Sequence, residues 1–186
     1  EDPVPRVRAE KLDEGLDILT GLWTGEPFSY NGKHYRLEEV TFTPKPFQPR
    51  IPVWVAGFWP HRRPFRRAAR YDGVYPTRDW PDSLTVSDLK HILDYIEGHR
   101  RSTEPFDVVV GGQTPSKPED GEEIVERWEA AGATWWSEDI NGWRGSLDEM
   151  RERIRSGLRE LKVWRCAIGV GEALVKSKPI RLCTIF

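Results

Sequence analysis

An α/β fold built on a parallel sheet is what this sequence predicts, from three observations. Short apolar runs read as strands, amphipathic stretches between them read as helices, and glycines or capping residues mark the boundaries; the alternation recurs four times. Ile51, Val53, Trp54 and Val55 form the first run, nearly continuous, as expected of a strand covered on both faces. Gly57 ends it, a helix over 63–71 follows, and Asp72-Gly73 leads into a second strand over 74–77. Thr85 then caps a helix with Leu89, Ile92, Leu93 and Ile96 on one face, and a strand over 106–110 runs into Gly111-Gly112. Ile124, Val125 and Trp128 mark the next helix, stopped by Gly132 before a strand over 133–137. Ser146 with Glu149 three residues on is a capping box opening a last helix through Leu147, Met150 and Ile154. Parallel strands joined by right-handed crossovers leave two architectures, a (β/α) barrel or an open doubly wound sheet. No GxGxxG stands at any strand-to-helix turn, which disfavours a nucleotide-binding doubly wound sheet.

Ahead of the alternation, Leu12, Leu16, Leu19 and Leu22 recur at helical spacing, with Pro5 suited to a first turn and Gly25 to the stop. The stripe predicts an amphipathic helix docked on a larger surface, each leucine contributing about 1.5–3 kcal/mol if fully buried. Asn31-Gly32 tolerates positive φ and predicts a tight hairpin over 28–37. Pro44, Pro46, Pro49 and Pro52 make the next segment an extended connector. Beyond Glu160 the composition changes: residues 161–186 hold five basic side chains against one acid and read as a basic appendage. Gly169-Val170-Gly171 is too short a pattern for a phosphate loop.

The 186 residues suffice for one domain with a core, and 38% hydrophobic with 31% charged residues is the composition of a soluble protein. A formal net charge of −2 gives no reason to expect nucleic acid, so the cluster Arg62, Arg63, Arg66, Arg67 and Arg70 reads as a solvated helix face. No run approaches the roughly 18 apolar residues needed to span a bilayer. The chain opens Glu1-Asp2-Pro3 with no basic-then-apolar leader, which predicts a cytoplasmic location and reads as a piece starting mid-protein. Cys166 and Cys183, without a CxxC pair or a neighbouring histidine, predict neither a metal site nor a disulfide scaffold. His34 reads as part of the hairpin, and His91 and His99 as helix surface.

Taken together, the segments resemble the C-terminal half of the bacterial-luciferase-like monooxygenase family. Five blocks in register over about residues 6–157 carry the likeness. They are Leu12-Asp-Glu-Gly-Leu16 with Leu22-Trp-Thr-Gly-Glu-Pro27; His34-Tyr-Arg36 with Pro44-Lys-Pro46; Ile51-Pro-Val-Trp-Val-Ala-Gly57; Ala68-Ala-Arg70 with Asp72-Gly73; and Ala131-Gly-Ala-Thr-Trp-Trp136 with Glu138. The resemblance implies a TIM-barrel-type α/β fold represented by its last four βα units, a half-barrel over 1–160 with an excursion hairpin before the first strand. The basic tail, 161–186, stays unmatched. It implies a flavin-type cofactor, FMN or a deazaflavin coenzyme, and a small organic substrate oxidised with reduced flavin and oxygen or by deazaflavin hydride transfer. The family's first-half strands, which help cradle the ring and often hold the catalytic histidine or acid, are absent from this chain.

Active sites of such barrels lie at the C-terminal ends of the strands. By resemblance, Ala56, Gly57, Phe58, Trp59 and Pro60 match the loop whose amides lie near the cofactor, and His61, Arg62 and Arg63 add positive charge for a phosphate. Gly57 and Pro60 equally serve as turn punctuation, and the arginines equally serve as a solvated face. Thr77 and Arg78 with Asp79, and Gly112 and Gln113 with Gly111, are substrate candidates. Glu138, beside Asp139 and the ring systems of Trp135 and Trp136, is the candidate proton-transfer group, with a pKa raised by its aromatic setting; the competing role is to cap a helix or meet an arginine. Two functional expectations follow: a flavin-dependent oxidoreductase, or a non-catalytic half-barrel whose open strand edges pair with a second copy or with a complementing N-terminal half.

Overall fold

The computed structural model describes residues 2–115, 118–156 and 181–185. They form two compact units, Glu1–Pro52 and Val53–Phe186.

In the first unit Pro5 opens α1 (Pro5–Leu22), as its locked φ favours. No α1 side chain is buried, and Leu12 and Leu19 are among the exposed large apolar residues, so the leucine stripe is not the covered face its spacing predicts. Strands β1 (Phe28–Asn31) and β2 (Arg36–Val40) pair antiparallel, with Asn31 opposite Arg36. The turn is not the two-residue Asn31-Gly32 turn. It is a four-residue loop closed by Gly32 N–H donating to Tyr35 O at 2.8 Å. Glu14 of α1 dictates the difference: its carboxylate accepts from the amides of Lys33, His34 and Tyr35 at 2.9 Å each. A Cβ on Gly32 would land on that carboxylate and 2.6 Å from the Tyr30 ring, so the residue is glycine for close approach rather than for positive φ. Glu10, one turn back, meets Lys33 Nζ at 2.7 Å and His34 Nε2 at 2.9 Å, and with Arg6 they hold its carboxyl down to about 2. Residues 41–53 contain no helix or strand, as the prolines require.

The second unit runs β3 (Trp54–Trp59), α2 (Arg62–Ala68), β4 (Gly73–Arg78), α3 (Val86–Glu97), β5 (Asp107–Gly112), α4 (Pro118–Ala130), β6 (Trp135–Asp139), α5 (Leu147–Ser156) and β7 (Arg181–Ile185). All five strands are parallel and lie in chain order, β3-β4-β5-β6-β7. That is consecutive winding, as around a barrel; a doubly wound sheet would reverse its order at a switch point. The sequence reading stops at four strands and leaves everything beyond residue 160 as an appendage. Part of that stretch, residues 181–185, instead forms β7 beside β6, while Cys166 and 169–171 fall outside the described residues.

Register fixes the two faces. Val55 lies beside Val74 and Gly57 beside Pro76, all buried; Ala56 beside Tyr75 and Phe58 beside Thr77 point the other way. Gly57 faces α2 so closely that a Cβ would sit 2.6 Å from Pro64 Cβ. Phe65, Val74, Leu89, Ile92, Val109, Val110, Val125 and Trp136 are at most 1% exposed and make the core of this unit, each worth about 1.5–3 kcal/mol.

The predicted helix boundaries hold in kind. Thr85 Oγ1 accepts from Asp88 N–H at 3.1 Å while the Asp88 carboxylate accepts from Thr85 N–H at 3.0 Å; Ser146 and Glu149 repeat this reciprocal cap on α5. Gly132 stops α4 at φ +106°. Two expectations need correction. Leu147 and Ile154 of α5 are 67% and 45% exposed, and among the described side chains the one this helix buries is Arg153. In the arginine cluster, Arg67 is buried rather than solvated.

Candidate functional site

Period-two alternation sends the last two residues of β6 to opposite faces of the sheet. Glu138 points to the helix side. There it accepts from Trp136 Nε1–H at 2.8 Å, the Thr114 amide at 3.0 Å, the Thr114 hydroxyl at 3.0 Å, Arg144 at 2.6 Å and Arg153 at 3.4 Å. Arg144 also donates to Asp139 O at 2.8 Å and to Thr114 O; Arg153 donates to Pro115 O at 2.9 Å and to the Thr114 hydroxyl. One carboxylate thus ties the β5–α4 loop, the β6–α5 loop and α5 to the end of β6. Burial pushes the Glu138 carboxyl up, but the bonds from Trp136, Thr114 and Arg144 outweigh it and hold the group below its ordinary value. The raised pKa expected from aromatic neighbours is therefore overturned: Trp136 contributes a hydrogen-bond donor, not only an apolar wall. Glu138 is an ionised anchor with every lone pair engaged, unsuited to passing protons.

Asp139 is on the other side and borders a cavity of about 500 Å³ at the C-terminal ends of β4, β5 and β6, to which residues of both faces contribute. Tyr75, Thr77, Gly111, Gly112 and Gln113 line it, with Ile124 and Trp128 of α4 as an apolar wall and Asp82 at the β4–α3 connection. The volume lies within the range of small-molecule sites. Gly111 sets its shape: a Cβ there would fall on the Tyr75 hydroxyl and 3.7 Å from Asp139 Oδ1, so phenol and carboxylate converge over one glycine. Burial raises the Asp139 carboxyl pKa, Glu138 next to it raises it further, and Arg144 offsets part of the effect. This is the perturbed acid of the site. The sequence singled out its neighbour, since only the register decides which of two adjacent carboxylates faces the cavity.

The candidate residues divide accordingly. Thr77, Gly112 and Gln113 are gathered at the cavity. Arg78 is not available there: it donates to Asp88 at 3.0 and 2.8 Å, which, against burial and with Thr85, holds the Asp88 carboxyl well below its usual range. Ala56 and Phe58, both exposed, stand on the open side of β3, whereas Gly57 packs on α2 and Trp59 meets the Phe65 ring edge-on at 5.8 Å. Pro60 and His61 are exposed, the latter 3.9 Å from Asp79; Arg62 lies over the Tyr95 ring, and Arg63 is exposed. Ala56 and Phe58 thus leave an exposed, partly apolar strip along β3, with the exposed guanidinium of Arg63 near its end in the chain. Among the described residues the lining of the cavity holds two carboxylates, Asp82 and Asp139, and no cationic side chain. Among the described residues no group of His, Cys, Asp and Glu is placed to hold a metal ion, and no helix is long and apolar enough to cross a membrane.

An uncharacterised protein of Mycobacterium tuberculosis is 33% identical over 105 residues, 55% of this chain and 34% of the relative. An F420-dependent glucose-6-phosphate dehydrogenase of Nakamurella multipartita is 28% identical over 110 residues, 58% of this chain and 32% of that one. A protein of the same description from Segniliparus rotundus is 38% identical over 56 residues, covering 30% and 16%. The chain spans about a third of the length of the first two of these relatives. The model of the luciferase-like monooxygenase family matches residues 5–174, past the boundary at 160 that composition suggests, and on that match the chain belongs to the luciferase-like monooxygenase family.

Proposed function

We propose that this chain provides the C-terminal portion of a (β/α) barrel in a deazaflavin-dependent oxidoreductase, with the cofactor ring against Ala56 and Phe58 and a neutral hydroxylated substrate in the cavity at the ends of β4–β6. The observation that carries this reading is the convergence of Asp139 and Tyr75 over Gly111 inside that cavity, in a chain whose relatives include F420-dependent dehydrogenases. When bound, a deazaflavin supplies two-electron hydride chemistry. The protein's part is the proton. Asp139 Oδ1 accepts the proton of the substrate hydroxyl, a role that its half-buried setting and raised pKa suit, and the Tyr75 hydroxyl holds the oxygen in place. Ile124 and Trp128 exclude water from one side. His61 and Arg63 face a cofactor phosphate, and FMN is the alternative ring.

Titration of the chain with the deazaflavin coenzyme and with FMN, read by fluorescence with the mass in solution measured alongside, tests the reading. Saturable binding of the deazaflavin, and a dehydrogenase rate about 10²–10⁴-fold lower in Asp139→Asn, is the expected result. A second reading is a non-catalytic half-barrel. It is favoured by β3, which has a strand neighbour on one side only among the described residues and so offers an edge to a second copy or a complementing N-terminal half. Folded protein that binds neither ring, and is dimeric by light scattering, would select it.

A further inference from the structure

The β4–β6 cavity lies at the C-terminal ends of the strands. At their other end, a second cleft of about 630 Å³ opens between the end of α2 and the loop that follows α3. Its polar side chains are Arg66, Arg70, His99, Arg100, Arg101 and Ser102, with no carboxylate among the described lining residues. Four guanidinium groups around one concavity is an unusual concentration in a chain of formal net charge −2.

Part of that charge has a structural use. Arg100 donates to Tyr71 O at 2.7 Å and Glu104 O at 2.9 Å and lies over the Phe106 ring at 4.6 Å, so it fastens the loop and is itself held rigid. Arg70 packs over the Tyr71 ring at 5.7 Å. The last turns of α2 and α3 each present about half a negative charge from their carbonyl ends, which together offset about one of the four cations. Arg66 and Arg101 are left over. Both are exposed, and neither has a hydrogen bond or ion pair among the described residues. His99 Nδ1 is turned to Tyr95 O at 2.8 Å, which leaves Nε2 for the cleft.

We infer that this cleft is a binding site for a small polyanion bearing two adjacent oxyanion groups, of the pyrophosphate class, held by Arg66 and Arg101 against the fixed guanidinium of Arg100. Guanidinium forks match phosphate oxygens bidentately, and several of them converging from two elements exceed what a single monoanion engages. The cleft is concave and local, whereas a nucleic acid needs an extended basic track, which the chain's overall charge does not provide.

Calorimetric titration of the full chain with sodium pyrophosphate, at about 0.15 M ionic strength held with chloride, tests this. Saturable one-to-one binding is expected, with inorganic phosphate about tenfold weaker. Arg66→Gln with Arg101→Gln should weaken pyrophosphate about a hundredfold, two charge-assisted contacts being lost, while Arg151→Gln, at an exposed arginine of α5 outside both sites, leaves it unchanged. Because Arg66 and Arg101 are exposed and unpaired, the double variant should unfold at the parent's temperature. Absence of saturable pyrophosphate binding to the parent chain, equal weakening by Arg151→Gln, or binding untouched in the double variant would each overturn the assignment.

Discussion

Glu138 and Asp139 are neighbours in the chain and opposites in the fold. Glu138 accepts hydrogen bonds from two arginines, a tryptophan and a threonine, and its pKa is lowered; Asp139 borders a cavity, and its pKa is raised. The chemical group is the same, so the difference belongs to strand alternation and to what each face of the sheet meets. A buried carboxylate with every lone pair engaged holds loops in place. One with few donors around it retains the capacity to take a proton.

The sharpest way to break the comparison is Glu138→Gln. It leaves Arg144 and Arg153 buried without their counter-charge and should cost about 3–5 kcal/mol of stability in urea titration. Gly111→Ala tests the cavity side: a methyl on the Tyr75 hydroxyl should cost about 1–3 kcal/mol and close the space over Asp139. Ser146→Ala removes the reciprocal cap of the helix that delivers Arg153 and should cost about 1 kcal/mol by the same titration. Asp139→Asn should have the smallest effect and the opposite sign, a slight stabilisation at pH 7.

The pH dependence separates the two carboxylates. For Glu138 the folded pKa is below the unfolded one, so its contribution is fully present above about 4.3 and is lost as pH falls through the lower folded value. For Asp139 the folded pKa is above the unfolded one, so stability is gained as pH falls through the folded value and levels off below about 3.9. The deficit of Glu138→Gln should therefore shrink on acidification below about pH 4, whereas the gain of Asp139→Asn should vanish at higher pH, as pH falls through the raised folded value, and be gone by about pH 3.9.

What could be read from the sequence follows from range. Caps at Thr85 and Ser146, the stop at Gly132 and the strand-helix alternation are local, and residues three or four apart suffice to specify them. Glu138 was legible as a residue of interest because it ends a strand among aromatics. Its partners were not, since Arg153 lies 15 residues on and is reached only after α5 folds back. Arg78 misled for the same reason: its terminal position on β4 suggests a ligand contact, but Asp88 ten residues later occupies it. β7 was hidden by distance too, its register with β6 spanning more than 40 residues from Trp135 to Arg181. Apolar spacing misled in α5, where the buried side chain is a cation answering a buried anion.

Glu14 also has a consequence for motion. Its carboxylate accepts from three consecutive backbone amides, those of Lys33, His34 and Tyr35, in a loop whose other bonds are the backbone one from Gly32 to Tyr35 and the side-chain ones of Lys33 and His34 to Glu10. Those amides exchange with solvent only when the loop lifts from α1. In a hydrogen-exchange experiment the tip of the hairpin, normally the fastest part, should be protected and should open together with the middle of α1 as one cooperative unit. Glu14→Gln would uncouple the two, making the loop exchange rapidly while the helix keeps its own rate.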